Sequence, residues 1–111
     1  MADPKQGVVL QGKLKQVQWD GDEVAAMDDL FDRLAKPDSD YYGTLQGDAT
    51  IGDETGLRHV THKNGWAVFF RWGNQPPTLS VYAVGRHEGD KLKRYDLHTF
   101  ETGVKSKLFS F

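Results

Sequence analysis

The chain has 111 residues, 38% hydrophobic and 27% charged, with a formal net charge of −2 and no cysteine. That length predicts one domain over residues 1–111, and the lack of cysteine excludes disulfides and thiolate chemistry. A mean hydropathy of −0.61 with no long apolar run speaks against a membrane-spanning helix. The opening MADPKQG has no apolar core of a signal peptide, which predicts a cytoplasmic protein with no membrane partner.

Charge is distributed unevenly. Residues 20–54 hold eleven acids against Arg33 and Lys36, a net of −9, whereas residues 55–111 hold nine Lys and Arg against four acids, a net of +5. A chain polarised in this way can steer a charged partner although its total charge is near zero.

In chain order, residues 1–6 are expected to fray. Residues 8–19 carry Val8, Leu10, Leu14, Val17 and Trp19 among polar residues, a strand pattern with Gly12 as a bend. Asp20-Gly21-Asp22 supplies a turn and a helix cap. Val24, Met27, Phe31 and Leu34 recur at helical spacing, with Leu30 beside them, and predict an amphipathic helix over 23–35. Pro37 stops it. Residues 38–56, rich in Asp, Gly, Thr and Ser, read as a long polar loop.

A sheet follows. Residues 57–62 and 66–72 read as strands around Lys63-Asn64-Gly65, a hairpin turn signal. Residues 78–85 form a third strand. WAVFFRW at 66–72 is apolar on both faces, as in a central strand. Residues 86–96 are either a loop leading to a short helix or a second hairpin around Gly89-Asp90, and the tail retains enough apolar residues for a final docking strand. The fold class expected is α+β: a twisted antiparallel sheet with one main helix packed on it.

The third strand ends in Arg86, His87, Lys91, Lys93, Arg94 and Tyr95. Arginine offers forked hydrogen bonds to phosphate and lysine a point charge, so this cluster is a candidate anion site. Tyr95 beside it is placed to stack on a base or to donate a hydrogen bond. His87, by position, is the first candidate for proton transfer and His59 the second. His59 and His62, three apart on a strand, point to opposite faces. A zinc site is therefore not expected, and no cofactor is. His98 is read as structural. No phosphate-binding loop, dinucleotide fingerprint or serine nucleophile motif is present.

The order strand, helix, long connection and antiparallel meander ending in a cationic corner resembles the RelE/ParE family of bacterial toxins. The resemblance is carried by residues 57–95: LRHVTH, the turn KNG, the aromatic-led WAVFFRW, LSVYAVG, then Gly85-Arg86-His87 with Tyr95 several residues on. One helix stands before the sheet where the family has two. The resemblance implies a metal-independent endoribonuclease that cleaves RNA, including ribosome-bound mRNA, through attack of the ribose 2′-OH, with an antitoxin protein as partner. It gives Arg86 or His87 the phosphate or acid role and makes Arg58, His59 and His62 bases or phosphate ligands on a facing strand. Tyr95 would orient the substrate, with Lys91, Lys93 and Arg94 binding it. Two alternatives stay open: a non-catalytic protein- or nucleic-acid-binding module, and a ParE-like gyrase inhibitor.

Overall fold

The computed structural model describes residues 2–87 and 94–108. One helix packs on a seven-stranded mixed sheet, an α+β fold. The strands are β1 (Val8–Leu10), β2 (Ala49–Ile51), β3 (Glu54–Thr61), β4 (Trp66–Asn74), β5 (Pro77–His87), β6 (Arg94–Thr99) and β7 (Gly103–Leu108). They run in the order β2-β3-β4-β5-β6-β7, each pair antiparallel. β1 is the exception and lies parallel to β5. It takes Leu79–Val81 of β5, while β6 takes the stretch from Ala83 to His87.

The helix α1 spans Gly21–Ala35. Its start is a reciprocal capping box: the Asp20 carboxylate accepts from the Glu23 amide at 2.9 Å, and the Glu23 carboxylate accepts from the Asp20 amide at 3.1 Å. These bonds satisfy two otherwise orphaned donors. Lys36 is extended, as the residue before a proline prefers, and ends the helix. Val24, Ala26, Met27, Leu30 and Leu34 are buried against the sheet.

Both faces of the sheet are covered, by two separate cores. Under α1 lie Leu14, Trp19, Val68, Phe70, Leu79, Val81 and Val84. On the opposite face Ala49, Ile51, Leu57, Ala67, Phe69, Ala83 and Leu97 pack together. The second core explains why WAVFFRW shows no polar alternation. Its cover comes from the β2–β3 hairpin, which the polar composition of 38–56 hid. That segment also holds a 3-10 turn at Tyr41–Thr44. The hairpin reaches the β6–β7 turn: a Cβ on Gly52, at φ +60°, would overlap the Glu101 carboxylate.

Two further expectations change. The strand expected over 8–19 breaks after Leu10 into a 3-10 turn at Gly12–Gln16. Gly12, at φ +51°, lies so close to the Phe100 carbonyl that a side chain would meet it, and Lys13 donates its amide to that carbonyl at 2.9 Å. Residues 2–6, expected to fray, are tied down. The Ala2 amide bonds the Trp19 carbonyl at 2.9 Å, and Lys5 reaches Asp28 and Asp32. Of the alternatives for 86–96, the flanking strands pair antiparallel from His87–Tyr95 inward, and Gly89-Asp90 lies outside the described residues.

Glu23 is buried, and its second carboxylate oxygen faces His98 Nε2 at 3.6 Å. Burial raises its pKa above the usual carboxylate value, and the bond from the Asp20 amide offsets part of that. A raised carboxyl pKa means that the native state binds the proton more tightly than the unfolded chain. The buried charge therefore costs stability above the raised pKa, and the cost is gone below the unfolded value. Glu23→Gln retains the cap acceptor without the charge. It is expected to be more stable than the parent at pH 7, with the gain fading as pH falls through the raised pKa and gone below pH 4.5, in urea titrations at each pH. Glu23→Ala, which loses the cap, is expected to be less stable at pH 7 by about 1 kcal/mol.

Candidate nucleic-acid interface

The facing of each candidate residue follows from one irregularity in β5. Phe69 pairs with Ala83, but Phe70 pairs with Val81, so Tyr82 is an extra residue. This bulge reverses the alternation of β5 beyond it. Val81 and Val84, three apart, both join the core under α1. Arg86 consequently follows Val84 onto the helix face, in register with Trp66.

Of the residues proposed from sequence, Arg58 and His59 lie on β3 and His62 just beyond it. His59 lies on the face away from the helix and stacks on Phe69, with ring centroids 5.3 Å apart and planes 19° apart. Its burial lowers its pKa, against a smaller opposing influence of Asp48. Arg58, its neighbour, points the other way. Its guanidinium sits 4.1 Å from the Tyr42 ring centroid and donates to the Leu45 carbonyl, so it holds the segment before β2. His62 is fixed at both nitrogens. Nδ1 accepts from the Asn64 amide at 3.2 Å, and Nε2 lies 3.4 Å from Asp29 on α1. Together with the bond from Asn64 Nδ2 to the Asp22 carbonyl at 2.8 Å, this docks the β3–β4 turn on the helix. No ion pair resting on Asp48 or on Arg58 is found among the described residues, and no cluster there is placed to hold a metal ion.

Strand spacing gives the separation of the two groups. His59 shares a register row with Phe69 and Ala83, and His87 is four residues beyond Ala83. That is about 13 Å along β5 and about 10 Å across two strand spacings.

The far end of β5, β6 and β7 is different. Arg86 is in register with Asp96 and Ser106, His87 with Tyr95 and Lys107, Leu97 with Lys105, and Arg94 with Leu108. Two lysines from the tail, Lys105 and Lys107, therefore join Arg86, His87, Arg94 and Tyr95 within three adjacent strands. Sequence reasoning missed them because they lie some twenty residues from Arg86 in the chain. The signal that would have found them is the turn Glu101-Thr102-Gly103 between two short strand-like runs, with Gly103 at φ +80°. Lys91 and Lys93 lie outside the described residues. Arg86 is exposed, with its guanidinium carbon 6.0 Å from the Trp66 ring centroid.

Comparison with protein-family models, curated proteins and solved structures finds no match for this chain. No helix among the described residues is long and apolar enough to cross a membrane.

The His59 environment has a measurable consequence. A histidine whose folded pKa lies below its ordinary 6.5 takes up fewer protons in the native state than in the unfolded chain. Its contribution to stability is intact above pH 6.5 and is lost as pH falls below it. His59→Phe, which retains an aromatic ring on Phe69, should remove that loss. Denaturation midpoints between pH 7 and pH 5 are expected to fall less steeply for the variant than for the parent.

Proposed function

We propose that this domain binds RNA in the cytoplasm through the β5–β6–β7 corner and cleaves it in the manner of the RelE-like toxins it resembles. The supporting observation is the register that gathers Arg86, His87, Arg94, Tyr95, Lys105 and Lys107 on three neighbouring strands. Cations grouped this closely favour a polyanion, and each phosphate they neutralise releases counterions. Cleavage through the 2′-OH needs a proton acceptor, a proton donor and stabilisation of the charged phosphorane. In this reading His87 takes the 2′-OH proton as that oxygen bonds to phosphorus. Tyr95, its register partner, protonates the departing 5′-oxygen, and Lys105 and Lys107, whose register rows include Gly85 and His87, hold the phosphate oxygens, while Arg86, one residue off on the helix face, binds the RNA away from the scissile phosphate. His59, His62 and Arg58 have no part in this chemistry, because each is committed to a contact elsewhere.

One observation favours a second reading, a module that binds RNA without cutting it. Of the three histidines expected to carry protons, only His87 belongs to the corner, so phosphate-binding groups there outnumber proton-transfer groups.

The two readings separate in a single set of assays. Under the first, His87→Ala abolishes cleavage of a labelled RNA, alone or with translating ribosomes, while affinity for a 2′-deoxy analogue stays within about twofold. Arg86→Ala weakens binding of the analogue about tenfold, as expected for loss of a charge-assisted contact. A folded parent protein that binds the RNA but never cuts it establishes the second reading. One that does not bind it at all overturns both.

A further inference from the structure

Of the aromatic residues of the central strand, Phe69 and Phe70 are fully buried, whereas Trp66 and Trp72 are only partly so and both pack against the core under α1; of the two, Trp66 is the one beside an exposed cation. Its backbone is anchored at the β3–β4 turn. Its amide donates to Asn64 Oδ1 at 3.1 Å, its carbonyl accepts from the His62 amide at 2.8 Å, and Asn64 is anchored on α1 through the Asp22 carbonyl. Its cross-strand partner is the exposed Arg86. At 6.0 Å the guanidinium is at the outer limit of a cation–π contact, so it rests over the ring without being locked to it.

A partly exposed indole with an arginine plane beside it makes a flat, cationic step. Bases that are splayed out of a single strand stack on aromatic rings and on guanidinium planes, whereas bases within a duplex are hidden from such a step. We propose that Trp66 and Arg86 form a stacking step for one unpaired nucleobase, which makes the ligand of the corner single-stranded RNA. The inference rests on the RNA reading above and adds the strandedness of the substrate.

The test uses the full chain and three probes: a labelled single-stranded RNA, the same RNA as a blunt duplex, and inorganic polyphosphate as charge alone. Trp66→Leu retains apolar volume against the core without the ring, and Trp66→Phe retains a smaller ring. The expected result is a loss of about tenfold in single-strand affinity for Trp66→Leu and a smaller loss for Trp66→Phe, with polyphosphate and duplex binding unchanged. Equal losses on all three probes, or none, would overturn the inference while leaving RNA binding intact. If either variant fails to fold, the parent decides. With 5-fluorotryptophan incorporated, the Trp66 fluorine resonance is expected to shift on adding single-stranded RNA but not polyphosphate, with that of buried Trp19 unmoved. A Trp66 resonance indifferent to RNA that is demonstrably bound overturns the proposal. A parent protein that binds none of the probes overturns the RNA reading, and this inference with it.

Discussion

The single extra residue at Tyr82 governs the facing of everything beyond it in β5. Without the bulge, strict alternation from Leu79 and Val81 would place Ala83, Gly85 and His87 toward α1 and Arg86 on the face that carries His59. With it, Val84 fills the core under the helix and Arg86 pairs with Trp66. The bulge is itself braced: the Arg71 guanidinium lies 5.6 Å from the Tyr82 ring centroid while bonding Glu54 at 2.9 Å and the Thr55 carbonyl at 2.7 Å. Three strands are thus tied at the point where the parity changes. A bulge beside a candidate site commonly serves to re-aim a side chain, and here the side chain re-aimed is Arg86.

That re-aiming matters because the sheet separates two cores. A residue on β4 or β5 has no neutral face to occupy; it joins the helix side or the hairpin side. Phe69 and Phe70, adjacent in sequence and both fully buried, serve different cores. Full burial of a phenylalanine side chain contributes about 1.5–3 kcal/mol, so a one-residue slip that exchanged them would disturb both layers together. Arg86, two residues beyond Val84 on the same face, takes its facing from that packing.

What was legible in the chain follows the same division. The helix could be read because Val24, Met27, Phe31 and Leu34 repeat at its period and Asp20 with Glu23 form a recognisable cap. The β3–β4 hairpin could be read from Asn64-Gly65, and WAVFFRW declared a central strand. The β2–β3 hairpin was hidden because only Ala49, Ile51 and Leu57 of that region turn inward, too few to mark a strand among Asp, Gly and Thr. The candidate site was half legible. His87 and Tyr95 are close in sequence and share a register row, with Arg86 one residue off it. Lys105 and Lys107 are brought there by a second hairpin, whose strand pairing no local pattern encodes. The bulge left no mark either: LSVYAVG is apolar throughout, and an apolar run does not show where its parity changes.

The acidic half of the chain reads differently once its contacts are known. Asp20 and Glu23 cap α1, Asp28 and Asp32 hold Lys5, and Asp29 lies 3.0 Å from Arg33 and 3.4 Å from His62. The acids of the helix are therefore largely balanced by partners within the fold. The net charge of −2 sums an acidic stretch over 20–54 and a basic one over 55–111. Screening over about 8–10 Å at physiological salt makes a partner respond to the patch it approaches and not to the total. An acidic chain can on that account present a cationic corner to a polyanion, so the overall charge does not weigh against RNA as the ligand.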